Sequence, residues 1–150
     1  SPIKRASELN SISAIYQIGL RGVGSGRQQE YDDANAYGSN LISAYEVHDI
    51  GIKAILEKIP DDVNFYITVD ADGMDPTIMP AVNAPTPGGL NWLQIRELIH
   101  GIVKKGRVLG FDLVEISPSF EKGNTTLVHA ERLICNFIGA MVRAGYYDSK

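Results

Sequence analysis

Asp70 and Asp72 are the clearest candidates for chemistry in this sequence. They come at the end of an apolar run rich in branched and aromatic residues, 64–70, and residues two apart on a strand project to the same side. Two ionised carboxylates held together repel each other unless a cation or protons compensate. Oxygen ligands suit a divalent metal such as manganese or magnesium. Asp70 and Asp72 are therefore predicted metal ligands.

The same aspartates could instead cap the following turn and face water, which is a common role of Asp in loops. A calcium loop of the EF-hand type is disfavoured, because Met74 occupies a position where that loop needs an acidic or amide ligand. The place of Asp70 at the end of an apolar strand favours the metal site over the solvated turn.

A proline-rich loop follows the two aspartates. Four prolines and a Gly-Gly pair fall in it: Pro76, Pro80, Pro85, Pro87, Gly88 and Gly89. Proline restricts the unfolded chain, so such a loop is more easily held rigid than left mobile. Rigid loops that follow strands commonly line binding sites. We expect this loop to form a wall of the site.

The elements that must position these residues alternate along the chain. Strands are predicted over 12–20, 41–47, 64–70 and 108–116, and helices over 28–37, 51–59, 92–103 and 125–143. Alternating strands and helices indicate right-handed crossovers and an α/β fold with a parallel sheet and helices on both faces. The carboxyl ends of the strands meet at one edge of such a sheet. Residues 21–27, 46–49, 70–89 and 115–118 should therefore lie together.

Composition limits the classes of function. The chain has 150 residues, 44% hydrophobic and 21% charged, which suits one globular domain or part of one. A net charge of −4 disfavours nucleic acid as a partner, and no apolar run approaches the roughly 20 residues that span a membrane. The lone Cys135 falls in an apolar helical pattern and is predicted to be buried. These features favour a cytoplasmic protein.

The segment from Asp70 to Gly89 resembles the signature of the ureohydrolases, the family of arginases and agmatinases. That signature has Asp-x-Asp-x-x-Asp-Pro, then further prolines, then Gly-Gly. Three other segments of this chain are similar to the family: Gly19-Leu20-Arg21-Gly22, Tyr45-Glu46-Val47, and Asp112 to Pro118 with its Asp-x-x-Glu-x-x-Pro pattern. The resemblance covers residues 1–150 as the C-terminal portion of a single domain that is incomplete on its N-terminal side.

The resemblance implies an arginase-like, three-layer α/β/α fold with a mostly parallel sheet. It implies a site with two Mn²⁺ ions, in which Asp70 bridges both metals and Asp72 ligates one. Glu115 would pair with the substrate guanidinium, while Asp75 would brace the loop. The implied reaction is hydrolysis of a linear, agmatine-like guanidino compound to urea and an amine by a metal-bridging hydroxide. Members of the family are usually homo-oligomers, so we expect one here.

The family's remaining metal ligands lie in upstream segments that have no match in this sequence. His48, His100 and His129 match no family ligand and are interpreted as surface or helix residues. The chain alone is therefore predicted to be inactive unless a missing N-terminal half is supplied. The alternative is a non-catalytic half-domain that binds a partner chain.

The substrate is only partly specified by the sequence. The glycine-rich segment 22–27 lacks the carboxylates that arginases use to hold the substrate's amino-acid head, which disfavours arginine. Arg27 could receive a carboxylate tail, as in a guanidino acid, or simply start a helix. Asn83 and Ala84 also depart from the residues common in the family.

A phosphatase of the haloacid-dehalogenase type is a remote alternative. Its nucleophile also lies in an Asp-x-Asp-Gly segment after a buried strand. Met74 departs from the residue types that this class has after the glycine, and no downstream segment supplies the lysine and acidic pair that it needs.

Overall fold

The structure is a computed structural model that describes residues 2–22, 24 and 26–148. Strands and helices alternate along the chain, as predicted. The elements are α1 Pro2–Ser7, β1 Tyr16–Leu20, α2 Gln28–Tyr37, β2 Asn40–Ser43, α3 Ala44–Glu57, β3 Asn64–Asp70, α4 Trp92–Lys105, β4 Arg107–Val114 and α5 Thr125–Arg143, with 3₁₀ turns at Ala71–Gly73 and Pro118–Phe120.

The four strands form two parallel pairs. β1 pairs with β2, and β3 pairs with β4 in a register that places Asp70 opposite Val114. The parallel direction was predicted, whereas the division into two pairs was not. Alternate side chains of β3 are exposed, including Tyr66 and Thr68, so this strand is covered by helices on one face. In the part of the chain that the structure describes, the other face of this pair is open to solvent at Tyr66 and Thr68.

Three strands differ from the prediction in their bounds, and one of them, β4, ends at Val114 rather than at residue 116. The first strand begins at Tyr16 rather than at residue 12. The second ends at Ser43, because the Ser43 hydroxyl accepts a hydrogen bond from the Glu46 amide and starts α3. Residues 44–47, predicted as strand, are therefore the first turn of a helix, although Val47 is buried as an apolar strand residue would be.

The core lies between the sheet pairs and a layer formed by α3, α4 and α5. Asn91, whose residue type and place before the apolar helical spacing favour a helix start, begins α4 with a reciprocal pair of hydrogen bonds to Gln94, and Gly106 follows the last helical residue. Six apolar residues at helical spacing predict this helix. Trp92 is partly buried, and the other five are buried: Ile95, Leu98, Ile99, Ile102 and Val103. Phe137 of α5 stacks on Phe111 of β4 with ring centroids 4.2 Å apart.

The buried face of α5 agrees only in part with the face that its apolar spacing predicts, which consists of Leu127, Ala130, Ile134, Phe137, Ile138 and Met141. Its buried residues are Thr126, Ala130, Leu133, Phe137, Ala140 and Met141, whereas Leu127, Ile134 and Ile138 are exposed. Cys135 is also exposed, which contradicts its predicted burial. The apolar surface of this helix is wider than the face that packs on the sheet, so the pattern alone could not select the side chains that are buried.

Among the described residues, no helix combines the length and apolar character that crossing a membrane requires.

Candidate active site

Asp70 and Asp72 lie at the carboxyl end of β3, where the strand passes directly into a 3₁₀ turn. Asp70 is the last strand residue and caps that turn, and its Oδ1 accepts a hydrogen bond of 3.2 Å from the Asp72 amide. Asp70 therefore combines the turn-capping role with its place at the strand end. The two predicted roles, cap and ligand, are compatible because a carboxylate offers several lone pairs.

The charges of two neighbouring carboxylates act on Asp70 at this edge. Burial, together with the charges of Asp72 and Glu115, raises the pKa of Asp70 from 3.8 to about 6. The Asp70 side chain still reaches solvent, although enough protein surrounds its carboxylate to disfavour the charge. The structure thus brings together the three residues predicted for the site. Their roles as ligands and guanidinium partner remain predictions.

Glu115 has an unusual backbone conformation. It follows directly on the last residue of β4 and has a φ of 62°, in the left-handed region that side chains other than glycine rarely adopt. Such a conformation costs of order 1–3 kcal/mol and persists where the surroundings enforce it. Here the next residues are held by the proline-rich loop, because Ile116 pairs with Val82 and the Ser117 amide donates to the Ala81 carbonyl.

Asp75 braces the loop, as the resemblance implied. One of its oxygens accepts hydrogen bonds from the amide and hydroxyl of Thr77, and the other accepts one from the Gly88 amide. These donors lower the pKa of Asp75. Gly89 passes so close to the chain at Met74 that a Cβ would lie 2.5 Å from main-chain atoms. A side chain cannot be placed at Gly89 without moving the turn that holds Asp72.

Arg21 is a structural residue that sequence reasoning missed. It follows β1, and its guanidinium donates to the main-chain carbonyls of Asp72, Met74 and Thr86 at 2.7, 3.2 and 2.6 Å. One cation therefore holds the turn after β3 and the far end of the proline-rich loop. One signal for this role was present in the sequence. Arg21 is an arginine at the predicted carboxyl end of a strand, where the loops of the other strands were expected to meet.

All three histidines lie on helices, as interpreted from the sequence. His129 and His48 also hold the proline-rich loop: His129 Nδ1 is 2.7 Å from the Ile78 carbonyl, and His48 Nε2 is 3.1 Å from the Gly89 carbonyl. His100 instead lies beside Arg143 on the outer helix layer. Among the described residues, no group of three or more His, Cys, Asp or Glu side chains could hold a metal ion. The described site therefore contains part of a ligand set.

Comparison with known proteins identifies the family. The sequence profile of the arginase family matches residues 1–139. The chain belongs to the arginase family. This membership confirms the predicted family and excludes the phosphatase alternative.

Individual relatives agree with the family assignment. The N(1)-aminopropylagmatine ureohydrolase of Thermococcus kodakarensis is 30% identical over 142 residues, which cover 95% of this chain and 46% of that protein. The crystal structure of agmatine ureohydrolase from Thermoplasma volcanium matches with a TM-score of 0.80 and 33% identity over 97% of this chain and 48% of that one. Proclavaminate amidino hydrolase from Streptomyces clavuligerus matches with a TM-score of 0.77, 28% identity and coverage of 86% and 43%.

The arginase-like fold is confirmed by these structures. The arginase-family chain spans less than half the length of each of these relatives. That coverage agrees with the predicted resemblance to one portion of a family domain. The relatives named here are ureohydrolases and an amidino hydrolase, so the enzyme class predicted from the sequence is the class of its relatives.

Proposed function

We propose that this chain supplies the C-terminal part of the active site of a metal-dependent ureohydrolase. The reaction is hydrolysis of a linear, agmatine-like guanidino compound to urea and an amine. The observation that supports it is the meeting of Asp70, Asp72 and Glu115 at the carboxyl edge of β3 and β4, where the charges of Asp72 and Glu115 lie close enough to raise the pKa of Asp70. Carboxylates crowded in this way need a cation or protons to compensate their charge, and a cation does so near neutral pH.

Asp70 and Asp72 would hold two Mn²⁺ ions together with ligands from the rest of the domain. The donor chemistry fits, because both groups are carboxylates, one of them with a pKa raised to about 6 by burial and neighbouring charge. A divalent cation supplies Lewis acidity and makes water a better nucleophile near neutral pH. The described residues provide part of the ligand set, so the chain by itself should bind the metal weakly and release no urea.

Glu115 would hold the substrate guanidinium. A carboxylate presents two oxygens to the planar fork of guanidinium N–H donors, which fixes the orientation of the group as well as binding it. The direction of the chain at the end of β4 is fixed in two ways. Glu115 takes a left-handed backbone, and the next residues, Ile116 and Ser117, contact the proline-rich loop. A substrate held this way is positioned over the edge where Asp70 and Asp72 lie.

The relatives support an agmatine-like substrate, because two of those compared above carry agmatine or an aminopropylagmatine in their names. The segment 22–27 contributes no carboxylate for an amino-acid head, although positions 23 and 25 lie outside the described residues. Arg27 directly precedes α2, and its amide donates to Glu30 at 2.8 Å, which supports a helix start over a carboxylate receptor. A cytoplasmic location and a homo-oligomeric assembly stay predictions.

The decisive experiment combines metal binding and turnover. Mn²⁺ binding to the chain is measured by calorimetry, and urea release from agmatine is measured after co-expression with the N-terminal portion of the Thermoplasma volcanium agmatine ureohydrolase. Asp70→Asn and Asp72→Asn should each weaken Mn²⁺ binding at least tenfold and abolish urea release. Glu115→Gln should leave Mn²⁺ binding unchanged and remove turnover.

Asp61→Asn serves as the matched control, because Asp61 is an exposed aspartate that pairs with Lys105 at 2.7 Å in a different region. It should change neither metal binding nor urea release. Unchanged Mn²⁺ binding in both site variants would refute the metal-ligand roles. Metal binding without any urea release by the combined polypeptides would favour the alternative of a non-catalytic half-domain.

A further inference from the structure

Basic side chains gather in the groove between α4 and α5, on the outer helix layer. Arg96, His100 and Lys104 are spaced four residues apart on α4, so they lie on one side of that helix, one turn after another. Arg143 of α5 reaches the same groove, where its Nη2 lies 3.4 Å and 3.5 Å from the two ring nitrogens of His100. The packing of α4 on α5 thus places three cations around one imidazole, and we call this surface the basic groove.

The cations of the basic groove have no carboxylate partners. Among the residues that the structure describes, the side chains of Arg96 and Lys104 form no ion pair and no hydrogen bond, and Arg143 contacts only the ring of His100. Three lysines elsewhere each pair with an aspartate or a glutamate: Lys4, Lys58 and Lys105. The basic groove is therefore a patch of unneutralised positive charge in a chain whose net charge is −4, and such a patch attracts anions.

His100 at the centre of the basic groove responds to the charges around it. Burial, together with the charges of the three cations, lowers the pKa of His100 below its usual 6.5, while a hydrogen bond with Asn136 opposes that shift. Neither α3 nor β4, which also pack on α4, contributes a charge to the main causes of this shift. An anion bound among the cations would favour the imidazolium, whose two N–H groups are both donors.

We propose that the basic groove binds a dianionic oxyanion of the phosphate class beside His100. Guanidinium groups match the oxygens of such an anion in pairs, and lysine adds a point charge. The backbone positions of Arg96 and Lys104 are about 12 Å apart along α4, so both long side chains can converge on one small anion between them. The anion is either free or the terminal phosphate of a small molecule. The proposal is independent of the proposed function, because none of these side chains belongs to the candidate active site.

The first test measures binding of inorganic phosphate to the 150-residue chain at pH 7.5 and constant ionic strength. We expect saturable NMR shifts of the His100 ring signals and no shift for His129, whose ring lies against the Ile78 carbonyl. The same His129 signals report whether each variant is folded. Shifts that grow linearly with phosphate, without saturation, would overturn the proposal.

Paired charge variants localise the anion. Arg143→Gln should weaken phosphate binding at least tenfold, because it removes the guanidinium that lies beside His100. Lys53→Gln removes one positive charge from an exposed position of α3 and should leave the affinity unchanged. Equal effects of the two variants would show that phosphate responds only to the net charge, and would overturn the proposed location.

Protonation of His100 gives a second readout, for which sulfate is the probe because it stays dianionic over the whole titration. Saturating sulfate should raise the pKa of His100 by roughly 1, which corresponds to a tenfold linkage, and leave that of His129 unchanged. Because the bound state then holds the proton more tightly, sulfate affinity should rise as the pH falls through the raised pKa and level off below the lowered one. A His100 pKa that sulfate does not change would overturn the placement beside this ring.

A third titration distinguishes the two sources of the anion. Glycerol 3-phosphate is compared with inorganic phosphate under the conditions of the first test. Binding of the ester at least tenfold more tightly would support a phosphorylated small molecule, and equal affinity would support the free anion. If neither compound shifts the His100 signals, the basic groove is a solvated surface and the proposal is overturned.

Discussion

The guanidinium of Arg21 lies 2.7 Å from the main-chain carbonyl oxygen of Asp72, which ties the end of β1 to the turn that follows β3. The same side chain reaches the carbonyl of Thr86 at 2.6 Å. The position of the Asp72 carboxylate thus depends on a residue 51 positions earlier in the chain. An arginine can do this because its fork of five N–H donors serves several acceptors at once.

Replacing Arg21 by methionine should destabilise the chain by about 2–3 kcal/mol, since several charge-assisted hydrogen bonds to shielded carbonyls are lost together. Urea unfolding of the metal-free protein measures the change. Arg96→Met, at an exposed position of α4, is the control and should change stability by less than about 0.5 kcal/mol. Equal stability of the two variants would show that the Arg21 contacts contribute nothing.

At Glu115, glycine should be more stable than alanine by about 1 kcal/mol, because glycine adopts the left-handed backbone without steric cost. Both changes remove the carboxylate, so their comparison isolates the backbone effect. At Glu131, an exposed position within α5, the order should reverse, with alanine more stable by about 1 kcal/mol. Chemical denaturation of the four variants tests both signs. An alanine variant at 115 as stable as the glycine variant would contradict the strain.

Thr126 is fully buried, and its hydroxyl accepts a hydrogen bond of 2.9 Å from the Ala81 amide. Thr126→Val keeps the shape but leaves that buried N–H without a partner, so we expect a loss of about 1–3 kcal/mol. Thr126→Ser keeps the acceptor and removes one methyl group, so it should cost less than the valine change. A valine variant that unfolds at the wild-type urea concentration would show that the hydrogen bond is dispensable.

Glu121 sets a pH dependence for α5. Its carboxylate accepts hydrogen bonds from the Thr125 and Thr126 amides at 2.8 and 3.0 Å, and these bonds lower its pKa to about 2 from 4.5. A lowered folded-state pKa stabilises the fold fully above pH 4.5, and that stabilisation is lost as the pH falls through 2. Glu121→Gln should therefore be less stable than wild type at pH 7, with a difference that shrinks below pH 4.5.

Thermal unfolding of wild type and the Glu121 variant from pH 2 to pH 7 measures this difference. Glu131→Gln, on the same helix but away from its first turn, is the matched control and should give a nearly constant offset. A difference between wild type and Glu121→Gln that does not change with pH would rule out the ionised cap.

Local signals in the sequence were enough to predict most of the strands and helices. Asn91 and Gln94 start α4 through contacts three residues apart, and Ser43 starts α3 in the same manner, although the competing strand pattern of residues 44–47 concealed that second start. The segment from Asp70 to Gly89 identified the family because its order of acidic residues, prolines and glycines is long and specific. The fold class, the family and the Asp75 brace were therefore predictable.

The sequence by itself determined the strand and helix order, the carboxylates at the strand ends and the family to which the chain belongs. Tertiary structure decided which face of α5 is buried, that Arg21 holds the Asp72 turn, and that Glu115 takes a left-handed backbone. Helix periodicity and capping depend on neighbours three or four residues apart, so a single sequence displays them. Two other features depend on how the elements pack, and no local pattern records that packing. They are the choice of the apolar face that is buried and a hydrogen bond between residues 51 positions apart.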